Sequence, residues 1–216
     1  DNLSDFSEYV LVGTEKRKSE LLVSLITGSI NDVERVGIDQ PDNTLEAIKK
    51  RIVVFDADQT RFIYNTKKSQ KQVTIQGLAG TGKTELLLHK LVDLYVKEPT
   101  SKIVFTCFNK ILANDMLQGI PEFFNFMKVD KQIEWNERLW AMRSWGSQIN
   151  PNSGIYSFIC DQYRLPFSRY TPGISFNQLC SNLLYELKKL EGFEPCFDYV
   201  LIDEGQDFDD SFFALC

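Results

Sequence analysis

A glycine-rich stretch, Gly77-Leu78-Ala79-Gly80-Thr81-Gly82-Lys83-Thr84-Glu85, restricts the possible folds of this chain more than any other feature. The β-branched run Val73 to Ile75 precedes it and predicts a buried strand. Leucines recur behind it at helical spacing, which predicts a helix. A strand, a G-x-x-x-x-G-K-[ST] loop and a helix in this order are typical of a phosphate-binding loop. The stretch is therefore predicted to bind a nucleoside triphosphate.

The residue types in this loop suit phosphate and magnesium. Glycines let consecutive backbone N–H groups converge on phosphate oxygens. Lys83 is expected to reach the β- and γ-phosphates, and the Thr84 hydroxyl to ligate Mg²⁺. The residues predicted to contact the nucleotide are Gly77, Ala79, Gly80, Thr81, Gly82, Lys83, Thr84 and Glu85. The predicted cofactors are ATP and Mg²⁺.

A second motif, which is acidic, lies far along the chain. The apolar run Tyr199-Val200-Leu201-Ile202 predicts a strand, and Asp203-Glu204-Gly205-Gln206-Asp207 follows it. A carboxylate at the end of a buried strand beside a phosphate loop can hold Mg²⁺, the role we assign to Asp203. Glu204 can orient or deprotonate an attacking water. The two motifs together predict one hydrolytic site.

Another predicted strand, Ile103-Val104-Phe105, ends in residues that could contact nucleic acid. These are Thr106, Phe108, Asn109 and Lys110. Ligands of open α/β sheets bind beyond the carboxyl ends of the strands. The three polar residues suit phosphate contacts, and the aromatic ring suits base stacking. The alternative is an ordinary helix cap followed by a solvated lysine.

Gln59 is a candidate for reading the base of the nucleotide. It lies about a dozen residues before the predicted strand that enters the phosphate loop. A primary amide can pair with adenine in two directions, because it both donates and accepts. The alternative is a surface amide with no ligand.

Composition excludes several classes of protein. The net charge of -6 argues against a broad basic surface for duplex DNA, although a local groove needs only a few placed groups. Five cysteines without a C-x-x-C pair, and the single His89, argue against a zinc site or a Ser-His-Asp triad. His89 is predicted to face solvent. No signal-peptide pattern or run of eighteen apolar residues occurs, so we expect a cytoplasmic protein without a membrane contact.

Alternating strand and helix patterns predict an α/β fold with a parallel sheet. Residues 1–54 carry no recognisable site and are interpreted as an accessory segment or the tail of an upstream domain. Residues 55–216 are predicted to form the nucleotide-binding domain, interrupted at about 119–174 by a small, mostly helical insert whose aromatics form a core. The chain opens on Asp1 and stops soon after the acidic motif, so it is expected to be a fragment.

With these motifs taken together, the chain resembles the superfamily 1 DNA helicases of the UvrD/Rep type. Residues 77–84 are similar to that family's G-x-A-G-[ST]-G-K-T, and residues 203–207 to its D-E-x-Q-D, with glycine where alanine is usual. Asp58-Gln59 resembles the adenine-reading Q motif. Thr106-Cys107-Phe108-Asn109-Lys110 resembles T-F-T-N-K with the aromatic shifted by one position. Arg143-Ser144-Trp145 stands where the family carries Thr-Phe-His.

The resemblance covers about residues 55 to 210 and implies a RecA-like P-loop NTPase fold. It also implies ATP hydrolysis coupled to movement along single-stranded DNA. Lys83, Glu204 and Gln206 would be catalytic, with Gln206 sensing the γ-phosphate. The family's second RecA-like domain and its arginine finger have no counterpart in this chain. We therefore expect the chain to bind ATP, to hold single-stranded DNA weakly and to turn over slowly.

Two other functions remain open at this level. The domain could be a nucleotide-dependent switch for an attached nuclease or partner, without unwinding activity. It could also be an interaction module with a vestigial site, but the intact Lys83, Thr84, Asp203 and Glu204 argue against that.

Overall fold

The computed structural model describes residues 55–65, 72–78, 80–169 and 171–216. The chain divides into two units, Asp1–Ser69 and Gln70–Cys216. The described part of the first unit contains helix α1, Ala57–Asn65. The predicted accessory segment, residues 1–54, lies outside the described residues, and so does the predicted loop residue Ala79.

The described part of the second unit alternates helices with strands. Its helices are α2 (Lys83–Lys97), α3 (Lys110–Phe126), α4 (Ile155–Gln162), α5 (Phe176–Leu187) and α6 (Asp210–Leu215). Its strands are β1 (Ile103–Cys107), β2 (Leu139–Arg143) and β3 (Tyr199–Ile202). Short 3₁₀ helices cover Pro151–Ser153 and Gly205–Asp207.

The described strands form one parallel sheet in the order β2-β1-β3. Val104 in the central strand lies opposite Trp140 of β2 and Val200 of β3. All five residues of β1 are buried, because helices cover both faces of the sheet. The predicted α/β fold with a parallel sheet flanked by helices is confirmed.

The two faces of the sheet have different partners. Helices α2 and α3 pack against β1 on one face. On the other face, Val104 and Trp140 join an apolar cluster contributed by α4, α5 and α6. Helix α5 begins at a capping box in which Ser175 and Gln178 bond each other's backbone N–H groups.

Strand β2 lies inside the range 119–174 that was interpreted as an insert. Helix α3 also continues past residue 119 to Phe126, through Pro121. The interpretation is therefore wrong for these segments, which belong to the main layers of the domain. The predicted role of the aromatics in this range is confirmed for Trp140, which is 4% exposed in the core. The physical reason for the error is that Leu-Trp-Ala-Met-Arg contains no β-branched residue to indicate a strand.

Two smaller predictions also fail. Val73 to Ile75 was predicted as a buried strand, but this run is not a strand in the structure and Val73 is 44% exposed. His89 was predicted to face solvent, yet it is 5% exposed. Its imidazole meets the ring of Phe123 edge-on, with ring centroids 4.8 Å apart, and lies 3.6 Å from the Glu85 carboxylate. Helix α3 thus covers a side of α2 that the sequence pattern marks as polar.

No helix among the described residues is both long enough and apolar enough to cross a membrane.

Candidate nucleotide-binding site

The glycine-rich loop adopts backbone conformations that require glycine. Gly80 and Gly82 have φ angles of +76° and +82°, which side-chain-bearing residues rarely adopt. At Gly77 the restriction is steric, because an added Cβ would lie 2.7 Å from the Thr81 hydroxyl oxygen. That hydroxyl donates to the carbonyl oxygen of Leu78 at 2.8 Å. The loop is therefore a closely turned backbone, as phosphate binding demands.

Lys83 extends its ammonium group over this loop. Its Nζ donates to the carbonyl oxygens of Gly77 at 3.2 Å and Leu78 at 3.1 Å. Both acceptors are neutral. A triphosphate would offer charged oxygens, whose hydrogen bonds to an ammonium are stronger. The lysine is thus already positioned over the loop, with acceptors that an anion could replace.

Helix α2 directs its N-terminus to the same place. Gly82 is its N-cap and, as a glycine, has no side chain that could cap the helix. The first helical backbone bond runs from the Leu86 N–H to the Gly82 carbonyl. In an α-helix the N–H groups before that bond point along the axis toward the N-terminus. With the helix dipole, they favour an anion there. Buried leucines on α2 fix the helix against the core: Leu86, Leu87, Leu88, Leu91 and Leu94.

A hydrogen bond joins the loop to the acidic motif 119 residues away. The Thr84 hydroxyl donates to Oδ2 of Asp203 at 2.9 Å, and the Glu204 N–H donates to Oδ1 at 3.1 Å. Asp203 is 2% exposed, and its own N–H donates to the Thr106 carbonyl at 2.9 Å, which extends the sheet pairing by one residue. Burial raises the pKa of Asp203, while the bonds from Thr84 and the Glu204 backbone oppose that increase.

The Thr84–Asp203 pair fits Mg²⁺ chemically. A hydroxyl and a carboxylate oxygen are hard ligands, and Mg²⁺ in nucleotide sites commonly takes one or two carboxylates with phosphate oxygens and water. Within the described residues, no group of three or more His, Cys, Asp or Glu residues could hold a metal alone. A cation at Asp203 would therefore need ligands from a bound nucleotide or solvent.

The residues after Asp203 form a strained turn. Glu204 has φ +52° and ψ +49°, a left-handed conformation that is unfavourable for a residue with a long side chain. Gln206 lies in the following 3₁₀ helix and donates from Nε2 to Oε2 of Glu204 at 2.5 Å. Two of the three side chains predicted to be catalytic thus contact each other directly.

The four predicted nucleic-acid contacts at the end of β1 differ in placement. Thr106 is fully buried, and Asn109 accepts the Leu112 N–H at 2.8 Å as the N-cap of α3. Phe108, 46% exposed, and Lys110 present accessible side chains. The structure therefore brings three of the four to the surface, of which Asn109 also caps α3, and buries Thr106 within the sheet.

Two further residues lie near this surface: Ser144, which the sequence analysis named only through the resemblance to Thr-Phe-His, and Phe208, which it did not name. Ser144, just after β2, donates from its hydroxyl to the Phe108 carbonyl at 3.1 Å. Phe208, which directly follows the acidic motif, packs edge-on against Phe108 with ring centroids 5.6 Å apart. An aromatic residue adjoining an acidic motif was the available signal for Phe208. For Ser144 the resemblance was the available signal, and its contact with Phe108 depends on the position of β2.

Gln59 lies in the described helix of the first unit. Its Oε1 accepts the Asp56 N–H at 3.0 Å, while its own N–H donates to the Asp56 side chain at 2.8 Å. This reciprocal pair is a capping arrangement at the start of α1. A local structural role is thus established for the amide oxygen, and adenine recognition stays a prediction.

Residues 42–205 match the model of the family described as type III restriction enzyme, res subunit. Comparisons with curated proteins and with solved structures gave no significant match. The matched range includes the glycine-rich loop and ends at Gly205, within the acidic motif. The family has a RecA-like domain, which agrees with the parallel sheet. Since the match covers well over half of the chain, this protein belongs to the type III restriction enzyme res subunit family of helicase-superfamily ATPase domains.

Proposed function

We propose that this domain binds ATP with Mg²⁺ and hydrolyses it as the first motor domain of a superfamily 1 type DNA helicase that moves on single-stranded DNA. The observation that carries the proposal is the 2.9 Å bond between Thr84 and Asp203. This bond joins the phosphate-binding loop to the acidic motif beside the N-terminus of α2, and ATP hydrolysis requires both motifs at one site. The Gln206 of D-E-G-Q-D supports the UvrD/Rep type within the helicase superfamily.

The residues of the site have separate roles in this proposal. The loop N–H groups and Lys83 hold the phosphates, and Thr84 with Asp203 would hold Mg²⁺, which neutralises phosphate charge. Glu204 takes the proton of the attacking water. Gln206 bonds the γ-phosphate and, in doing so, exchanges its present bond to Glu204 for a bond to the nucleotide.

Single-stranded DNA would lie across the carboxyl ends of the strands. The exposed ring of Phe108 can stack on a base, and Lys110 can contact a phosphate. Two such contacts predict weak binding. Even with few phosphate contacts, we expect the affinity for single-stranded DNA to fall as the salt concentration rises, because counterions are released on binding.

Asp203→Asn tests the site most specifically. The amide keeps the shape and its one oxygen can still accept from Thr84, but its NH2 group cannot accept from the Glu204 N–H and the charge that attracts Mg²⁺ is lost. We expect Mg²⁺ to strengthen ATP binding in the wild type and to have little effect in the variant, as measured by calorimetry with Mg²⁺ or with EDTA. Asp198→Asn is the matched control, since Asp198 accepts the Lys102 N–H at the other end of β3. Equal Mg²⁺ dependence in Asp203→Asn and the wild type would refute the assigned role.

Hydrolysis has its own test. Glu204→Gln removes the base and leaves the phosphate-binding loop intact, so single-turnover hydrolysis of labelled ATP should fall by about 10²–10⁴-fold while ATP affinity is retained. Stimulation by single-stranded DNA distinguishes a motor from a switch. This comparison is made on the longest form of the protein that can be expressed. If that form binds ATP but single-stranded DNA does not change its rate of ATP turnover, the switch is favoured.

A further inference from the structure

Phe208 connects the exposed surface near β1 to the core. Its ring stacks on Phe212, with centroids 4.2 Å apart and an angle of 13° between the planes. Phe212 is 1% exposed and belongs to the apolar cluster under the sheet. On its other side Phe208 meets Phe108 edge-on at 5.6 Å, and Phe108 is 46% exposed. The three rings form a continuous path from solvent to the core.

The backbone of Phe208 also closes the turn formed by residues 204–207, which carries Glu204 and Gln206. Its N–H donates to the Gly205 carbonyl at 3.2 Å, and the Asp207 N–H donates to the Glu204 carbonyl at 3.0 Å. These bonds shape the 3₁₀ helix that carries Gln206. Phe208 thus lies two residues after Gln206 and four after Glu204, the pair that the side-chain bond joins.

The turn itself has a strained geometry. Glu204 is held at φ +52°, and its carboxylate accepts from Gln206 at 2.5 Å. Strained conformations of this kind persist only while surrounding contacts hold them, and they occur in elements that switch between states. The bond from the Phe208 N–H to the Gly205 carbonyl is among these contacts, so the position of Phe208 can bias which state the turn adopts.

We propose that Phe208 is a positioning residue that couples single-stranded nucleic acid at Phe108 to the Glu204–Gln206 pair. The proposal rests on the function proposed above. A base stacking on Phe108 shifts the Phe108–Phe208 contact, the turn adjusts, and Gln206 releases Glu204 for the γ-phosphate and the attacking water. Nucleotide and nucleic acid then favour the same state of the turn, and each strengthens binding of the other.

The test measures this coupling as a difference in binding. The affinity of a fluorescent ATP analogue is measured without and with saturating oligo(dT) for the wild type and for Phe208→Leu. Leucine keeps an apolar side chain over Phe212 but removes the stacked and edge-on ring contacts. In the wild type we expect oligo(dT) to tighten nucleotide binding by about fivefold or more, the lower end of measured couplings. In Phe208→Leu we expect the nucleotide affinity to be the same with and without oligo(dT).

Two further variants complete the design. Phe126→Leu is the matched control, because Phe126 is 50% exposed at the opposite end of α3 and should keep the wild-type coupling. Phe108→Leu changes the other ring of the contact at an exposed position, so it tests the same path if Phe208→Leu does not fold. It should weaken oligo(dT) binding and abolish the coupling.

The outcomes separate this proposal from the proposed function. Nucleotide binding without coupling in the wild type, or full coupling in Phe208→Leu, overturns the role of Phe208 and leaves the ATP site intact. Failure of the wild type to bind the nucleotide at all overturns the proposed function, and the coupling with it.

Discussion

The junction after β2 depends on a close approach of two glycines, and Gly154→Ala should break it. An added Cβ on Gly154 would lie 2.1 Å from the Gly146 nitrogen and 2.4 Å from its Cα. Both are backbone atoms, so no side chain can rotate to make room. The φ of Gly154 is -167°, ordinary extended backbone, so the effect of the substitution is purely steric.

The expected cost follows from the contacts at this crossing. Backbone bonds join Tyr156 N–H to the Ser144 carbonyl at 2.9 Å and Ser157 N–H to the Trp145 carbonyl at 3.0 Å. Overpacking costs ~1–3 kcal/mol, and weakening these bonds adds ~1 kcal/mol. The free energy of unfolding should therefore fall by about 2–4 kcal/mol. For a chain of this size that lowers Tm by about 5–15 °C.

Thermal unfolding followed by circular dichroism measures this effect. Gly119→Ala is the matched control, because Gly119 lies inside α3 and an added Cβ meets no atom within 4 Å. There alanine should stabilise the helix by ~1 kcal/mol and raise Tm. If Gly154→Ala melts at the wild-type temperature while Gly119→Ala behaves as expected, the steric argument fails.

Three other predictions concern the N-cap of α3, two buried cysteines and Gln59. Asn109→Ala removes the N-cap of α3 and should destabilise the protein by ~1 kcal/mol in a denaturant titration, whereas Asn109→Asp should not. Burial raises the pKa of the Cys107 thiol to about 11 and that of Cys180 to about 12, so their thiolates are scarce at pH 8. Mass spectrometry should then find both unmodified by iodoacetamide until denaturant is added. Gln59→Ala should abolish any preference for ATP over GTP in competition binding, and an unchanged preference would leave only its capping role.

The elements that carry a strong local pattern could be predicted from the sequence. Helix α2 and strands β1 and β3 were predicted from leucine spacing and from apolar runs between polar ends. The contact of Thr84 with Asp203 was implied by the two motifs, since parallel strands present their carboxyl ends at one edge of a sheet.

The elements that depend on tertiary contacts could not be predicted in this way. Strand β2 has no β-branched residue, and its place beside β1 is fixed by pairing across 36 residues, from Ile103 to Leu139. His89 occupies a polar position in the helical pattern, but α3 covers it. Thr106 looked like a surface contact because it follows the predicted strand, although β1 continues through it to Cys107 and it is completely buried.

The most direct test of the central claim is the calorimetric affinity of Lys83→Ala for ATP with Mg²⁺ and for adenosine. Within the part of the chain that the structure describes, the Lys83 ammonium donates to the carbonyls of Gly77 and Leu78, and in the complex it is predicted to contact phosphates. Lys97→Ala is the control, since it removes the same charge at the far end of α2, where Lys97 pairs with Asp93. We predict that Lys83→Ala weakens ATP binding strongly and leaves adenosine binding unchanged, while Lys97→Ala leaves both unchanged. Equal ATP affinities of Lys83→Ala and the wild type would contradict the account.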